Sequence, residues 1–486
     1  MATVSPPPVS ARPPSGDGAG EPPASTAKRR FLSDAAAHVR DLGHRLFVRK
    51  ALGGYYINRD AHKARYRDWE HARDAASLAK WSAVNRLHEL LPQFVANFEA
   101  GGGQVHWARD AAEAREIILQ LVREAGAKAI VKSKCMTSEE IHLNAALEAE
   151  GFGVVESDLG EFIQQLRGEP PYHFVFPCMH VRREEISELF KAHLGSEPTD
   201  SPEELTMIAR RYMRQLYVDA DVGITGANFL VAETGQVSIT ENEGNARLTA
   251  ALPRVHIAIS GIEKVVANLD DLAVLLPMLA TAGAGQPMTC YNTLYAGPRR
   301  TGEADGPEAM HLVLLDNSRT ALLADPEQRD ALHCIRCGAC LNVCPIFKNV
   351  GGFTYGTTYQ GPIGSVITPH LRGLHRCLPR ADRHPPPSAA QPPQRRPHLP
   401  QPAGAARPQT VCAGGPPAGA VRHRRLAIPP HAESGQKPEA AAAQAVARHP
   451  RPSARPTPEL PGRLEKPQTL SHHPPPIPHA CTCHRS

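Results

Sequence analysis

The sequence predicts an α/β protein. A mostly parallel sheet covered by helices is entered through an N-terminal helical segment and left through an α-helical, cysteine-bearing module, with a disordered tail after it. Three observations carry this. Between Gln104 and Leu315, short β-like runs alternate with amphipathic stretches of about 10–15 residues, the pattern of strands joined by crossover helices. Four cysteines fall within Cys334–Cys344 and are followed by Pro345. After residue 374 the composition changes to Pro, Arg, Ala, His and Gln with no Phe, Trp or Tyr, which cannot build a core.

Taken in order, residues 1–27 are rich in Pro, Ala, Ser and Gly and are expected to be disordered. Residues 28–100 are expected to be helical. Ala35, Val39, Leu42 and Leu46 share one helical spacing, and Leu78, Trp81, Val84, Leu87 and Leu91 another. The charged stretch Arg59–Arg73, with Tyr66 and Trp69, reads either as a solvated face or as a docking surface. Gly101-Gly102-Gly103 closes this segment, and an α/β domain over 101–310 follows. Its expected strands are Gln104–Trp107, Ala127–Val131, Val154–Glu156, His173–Phe176, Phe229–Ala232, Val237–Ile239, Val255–Ser260 and Leu312–Leu315, the last lying just beyond that boundary. Its expected helices are Ala111–Glu124, one opened by the capping box Thr137-Ser138-Glu139-Glu140, Glu184–His193, Glu203–Asp219 and Asp270–Ala280. Glu233-Thr234-Gly235 signals a hairpin. The polar turns beside it admit two readings. Their Asn and Gly residues supply positive φ, or Thr225, Asn228, Glu233, Glu241, Asn242, Glu243 and Asn245 line a pocket at the strand ends, where open α/β sheets bind ligands.

The chain of 486 residues has room for two or three domains. No apolar run approaches the length of a membrane span, and residues 1–27 lack the apolar core of a secretory signal. Cys135, Cys178 and Cys290 stand singly, as in a reduced intracellular protein, so a cytoplasmic location is expected. The net charge of +5 misleads: residues 375–486 hold 16 Lys and Arg against five Asp and Glu, leaving 38 against 44 in the rest. The basic balance belongs to the tail and gives no ground for a nucleic-acid partner.

The run from Cys334 to Pro345 is C-x2-C-x2-C-x3-C-P, the spacing by which ferredoxins hold [4Fe–4S] clusters. Structural zinc normally shows two separated C-x2-C pairs, and a disulfide framework needs a secreted context. Cys334, Cys337, Cys340 and Cys344 are therefore the candidate cluster ligands, in a module over 311–374.

Several separated segments occur in an order that resembles the lactate utilisation protein B family: Val131-Lys132-Ser133-Lys134-Cys135-Met136, Gly223–Asn245, Gly261-Ile262-Glu263-Lys264-Val265-Val266, the cysteine run, Tyr355-Gly356 and Gly361-Pro362-Ile363-Gly364. The resemblance spans roughly Arg29 to Leu374. It implies a ribose-isomerase/CoA-transferase-like lactate-utilisation domain followed by a ferredoxin-type module with two [4Fe–4S] clusters. It also implies an iron–sulfur electron-transfer subunit that works with homologues of lactate utilisation proteins A and C in oxidising L-lactate to pyruvate. By the family pattern, Cys334, Cys337 and Cys340 hold one cluster, and Cys344 serves the second. Catalytic residues are not carried over. The alternative is an enzyme that uses the 223–245 pocket on a small organic acid or a CoA- or phosphate-linked substrate.

Two departures stand out. The family pattern implies Ser where Cys135 stands. After Leu374 a second cysteine run is expected, but only Cys377, Cys412, Cys481 and Cys483 follow, without ferredoxin spacing, so the second set of ligands is missing. A shift of reading frame near codon 375 accounts for the abrupt change. A natural basic tail that binds an acidic partner is the alternative.

Overall fold

The computed structural model describes residues 23–371. The expected disorder of 1–22, the 375–486 tail and Cys377, Cys412, Cys481 and Cys483 lie outside the described residues. At 23–27 the expectation of disorder is overturned, because helix α1 (Pro23–Arg40) already covers them.

Three further helices complete the N-terminal segment: α2 (Leu42–Lys63), α3 (Trp69–Asn85) and α4 (Leu87–Ala100). Asp41 and Asp68 cap α2 and α3 by accepting the N–H of His44 and His71. The apolar stripes read from the sequence hold only in part: Val84, Leu87 and Leu91 are buried as expected, but most of the other large residues are not. Val39, Leu42, Leu46, Leu78 and Trp81 are exposed, whereas Val48, Leu52, Ala76, Ala79 and Ala83 are buried. The helices approach their neighbours along small alanines, which a search for large apolar residues passes over. In the charged stretch, Trp69 meets Tyr66 edge-on, and Tyr66 hydrogen-bonds Thr281 at 3.3 Å. The aromatics pack inward and most of the charges point to solvent.

Six parallel strands form the main sheet: β1 (Gln104–Ala108), β2 (Ala129–Lys132), β3 (Gly153–Glu156), β4 (Val222–Gly226), β7 (Val255–Gly261) and β10 (Ala309–Leu315). Their order is β1-β10-β7-β4-β2-β3. Both faces are covered, as a parallel sheet requires. On one face α5 (Ala111–Glu124) and α7 (Leu143–Ala149) bring Ile118, Val122, Leu143 and Leu147 onto Ile130, Ile224, Ile257 and Val313. On the other, Leu91, Phe94 and Phe98 of α4 cover Ala258, Leu312 and Leu314. At the β2–β3 end of that same face, α8 (Leu159–Arg167), α9 (Arg183–Leu194) and α10 (Pro202–Asp219) pack on Val131 and Val155. A smaller sheet, β8-β5-β6-β9, contains the expected hairpin of β5 (Phe229–Val231) and β6 (Gln236–Glu241), with β8 (Val265–Val266) and β9 (Tyr291–Tyr295) at its edges.

Several expectations need correction. His173–Phe176 is no strand: the His173 ring accepts the N–H groups of Val175 and Phe176, which curls the chain. Helix α6 (Met136–Glu140) opens before the capping box, with Cys135 at its N-cap, where the thiol accepts the Ser138 N–H. That role also explains Cys135 in place of Ser, since a hydroxyl caps the same way. Strand β10 sits between β1 and β7, so the α/β domain runs past 310 to 315. Strands β4, β8 and β9 and helices α8 and α11 (Asn245–Ala251) have no counterpart in the expectations.

Helix α12 (Leu269–Ala284) precedes β9, and after β10 come α13 (Arg319–Leu323), a 3-10 turn at Arg329–His333, α14 (Ala339–Val343), α15 (Phe347–Val350) and α16 (Gly361–Leu371). This module seats Leu341 and Phe347 in one core with Val48 and Leu52 of α2 and with Tyr172 and Phe174. The N-terminal helices therefore hold the cysteine module against the α/β domain. Among the described residues no helix is long and apolar enough to cross a membrane.

Candidate functional site

The cysteine loop is shaped by two left-handed residues, Arg336 (φ 60°) and Gly338 (φ 79°). At Gly338 a Cβ would lie 2.6 Å from Val175 Cγ2, so only glycine allows the loop to sit on the 172–176 turn. His173 fixes the same contact from below, its Nε2 lying 3.1 Å from Asn342 Oδ1 on α14. Cys334, Cys337 and Cys340 interact electrostatically within the loop, and Cys340 also packs into the apolar cluster that holds Cys344. Burial, then the nearby Cys334 and Cys340, push the Cys337 thiol up to about 12. Cys344 is instead buried beside Tyr355, whose side chain hydrogen-bonds it, and accepts the Phe347 N–H at 3.5 Å. Among the described residues no three His, Cys, Asp or Glu side chains converge on a single-ion site. A cubane asks less of them, since each thiolate reaches its own iron.

Around Cys334 lies a buried charge network. Glu263 Oε2 accepts from Arg319 Nε at 2.5 Å, and Glu263 Oε1 lies 3.4 Å from Arg336 Nη2. Arg319 also forks onto Glu140 at 3.0 and 2.8 Å, and Tyr359 donates to Glu140 at 2.8 Å. Lys80 of α3 donates to the Glu263 backbone carbonyl. Burial works against Glu263, but Arg319, Arg336 and Lys264 overcome it and hold its carboxyl down at about 2. Burial pushes Lys80 down to about 7 and Lys264 to about 8. Four cations thus face two carboxylates beside the first cysteine. Arg336 Nε and Nη1 are buried with no acceptor. The donor set therefore fits an anionic, sulfur-rich group: thiolates on one side, unspent N–H groups and excess positive charge on the other.

A cavity of about 300 Å³ opens at the C-terminal ends of β2, β4 and β6 and reaches Arg336 and Cys337 of the cysteine loop. Of the residues predicted for the pocket, Asn228, Glu241, Asn242, Glu243 and Asn245 line it. Thr225 does not: it is fully buried within the sheet, 2.8 Å from His256 Nε2. Neither does Glu233, which accepts the Leu269 N–H at the start of α12. Glu241 accepts the N–H groups of Ala246 and Arg247 and so anchors α11. Glu243 accepts the Leu159 N–H, and burial with the nearby Asp158 raises it to about 7. A larger cavity of about 860 Å³, lined by Asp34, His38, Glu139, His142 and Glu169 among others, includes none of the predicted pocket residues.

Sequence reasoning missed Lys80, Glu140, Arg319 and Arg336 as parts of the site. Their partners lie 56 to 183 residues away, so no local spacing marks them. A signal did exist for Ser133, Lys134, Glu263 and Lys264, which fall inside segments that stood out as motifs without an assigned role.

Comparison with known proteins gives two family matches. Residues 91–315 match the LUD domain, and residues 330–379 match the 4Fe-4S dicluster domain. A "Lactate utilization protein B" of Shouchella clausii is 46% identical over 317 residues, 65% of this chain and 66% of that protein. One from Oceanobacillus iheyensis is 44% identical over 336 residues, 69% of this chain and 70% of that protein. An "Uncharacterized electron transport protein YkgF" of Escherichia coli is 44% identical over 305 residues, covering 63% and 64%. The chain spans about two thirds of the length of the curated relatives it matches.

Proposed function

Since the chain belongs to the lactate utilisation protein B family, we propose that it is an iron–sulfur electron-transfer subunit of a multi-protein system that oxidises L-lactate to pyruvate. Its partners in this reading are homologues of lactate utilisation proteins A and C, and its place is the cytoplasm. The observation that carries the proposal is the cysteine run Cys334–Cys344, matched by the 4Fe-4S dicluster domain over residues 330–379, seated beside the buried cations Lys80, Lys264, Arg319 and Arg336. The name of the Escherichia coli relative, an electron transport protein, points the same way.

Bound there, a [4Fe–4S] cluster accepts and passes on one electron at a time. The protein's own residues do the rest. Cys334, Cys337 and Cys340 are the ligands. The Arg336 N–H already points at Cys334 Sγ at 3.4 Å, and such bonds favour the charged thiolate. The α2 helix and the 172–176 turn keep the loop packed and exclude water from one side. Cys344, on the Tyr355 side, is assigned to a second cluster, whose other ligands are not supplied by any described residue. Oxidation of lactate releases two electrons, so a one-electron cluster would pass them on one after the other.

The test is anaerobic reconstitution followed by addition of L-lactate with the A and C homologues. Bleaching of the visible absorbance that needs all three components supports the proposal; a cluster that forms but never bleaches contradicts it. The second reading, an enzyme using the strand-end cavity, is favoured by the raised Glu243 carboxyl. A Glu243→Gln variant that keeps its cluster spectrum but loses turnover would select it.

A further inference from the structure

The strand-end cavity has an uneven distribution of spent and unspent polar groups. Its carboxylates are engaged. Glu241 holds two backbone N–H groups, Glu243 one, and Asp158 caps α8 while pairing with Lys134 at 3.0 Å. Its donors are not. Lys264 lines the cavity, is 8% exposed, and has no hydrogen bond or ion pair among the described residues. Arg336 Nε and Nη1 are buried and unpartnered on the same wall. The Ser133 hydroxyl, on a residue 3% exposed, and the side-chain amide of Asn245, 7% exposed, have no partner among the described residues either. Asn228 spends its Oδ1 on the Thr240 N–H and leaves its amide N–H₂ free.

Unspent donors gathered in one small cavity call for an acceptor-rich, negatively charged occupant, because a buried cation or amide left unpaired is costly. The volume of about 300 Å³ lies at the small end of ligand sites. We propose that this cavity binds a small organic acid. Lys264 and Arg336 take its carboxylate, and Ser133, Asn228 and Asn245 donate to its remaining oxygens. The bound acid would lie against the backbone that carries Cys337, so its presence would be felt by whatever that loop holds. This site rests on the second reading above, whose organic-acid substrate it would hold, and it shares Arg336 with the cysteine loop; every donor named belongs to the polypeptide, so it can be tested without iron.

The experiment is isothermal titration of the full-length, iron-free chain with oxalate, compared with inorganic phosphate. Saturable binding of about one oxalate per chain is expected, with phosphate at least tenfold weaker. Lys264→Met is expected to weaken oxalate binding tenfold or more. Asn228→Asp keeps the acceptor for the Thr240 N–H, so the fold is preserved, while a further negative charge enters the wall; it is expected to abolish binding. Thermal midpoints of both variants are measured alongside. Absence of saturable oxalate binding overturns the proposal. So does binding that survives in Asn228→Asp, or phosphate binding as tight as oxalate. Because iron is absent from the assay, failure here leaves the electron-transfer reading untouched, and the reverse also holds.

Discussion

Replacing Glu263 by Gln tests how the cysteine loop is joined to the α/β domain. The substitution keeps the volume and removes one buried negative charge. In the wild type that carboxylate contacts Arg319 at 2.5 Å and Arg336 at 3.4 Å, and its side chain is 1% exposed. In Glu263→Gln, Lys80, Lys264, Arg319 and Arg336 would face Glu140 alone. Breaking a buried ion pair by removing one partner costs roughly 3–5 kcal/mol, because the remaining charge is left uncompensated. At about 2–4 °C per kcal/mol for chains of 150–250 residues, the thermal midpoint should fall by roughly 6–20 °C. The control is Glu113→Gln, which removes an ion pair to Arg109 on the surface and should leave the midpoint unchanged. The pH dependence carries a sign. Glu263 is held at about 2 against an ordinary value of 4.5. Its contribution is therefore full above about pH 4.5 and is lost as pH falls toward 2. The gap between wild type and Glu263→Gln should close over that window. A midpoint shift below about 2 °C, or a gap that does not close in acid, would refute the idea that Glu263 is the counter-charge of this network.

Other expectations follow from individual contacts. Gly283 packs against the cysteine loop, where an added Cβ would lie 2.3 Å from the Cys337 carbonyl oxygen; Gly283→Ala should cost about 1–3 kcal/mol by denaturant titration and reduce iron uptake. Cys135→Ser should leave stability nearly unchanged, while Cys135→Ala should lose about 1 kcal/mol with its cap, both read as shifts in the urea midpoint. Lys132 is fully buried between Glu156 at 2.8 Å and Glu139 at 3.3 Å, so Lys132→Met should destabilise by about 3–5 kcal/mol at neutral pH. Iron analysis after anaerobic reconstitution should give well under the roughly eight irons per chain that two full clusters require.

Where chemistry repeats at a fixed local spacing, the sequence was readable. The alternation from Gln104 onward locates most strands of the main sheet, and the one-faced spacing of Ala114, Ile117, Ile118 and Leu121 gives helix Ala111–Glu124 its full extent, which Asp110 caps. The cysteine run needed no structure to be noticed. What local pattern could not supply was which distant residues meet. His173–Phe176 looks like a strand because it is apolar, yet its apolar groups serve the cysteine loop. The N-terminal helices bury alanines, so large apolar residues such as Leu78 and Trp81 pointed to the wrong face. Thr225 and Glu233 belong to the right segment, but the two-residue alternation of a strand and the hairpin turn send them elsewhere. The buried cations near Cys334 were invisible because charge is normally read as surface.

The most direct measurement is the visible spectrum of the full-length chain after anaerobic reconstitution with iron and sulfide, beside that of Cys337→Ala. The wild type should be a brown protein with broad visible absorbance that Cys337→Ala loses. A colourless wild type, or a Cys337→Ala spectrum identical to it, would contradict the assignment of this loop as an iron–sulfur ligand set.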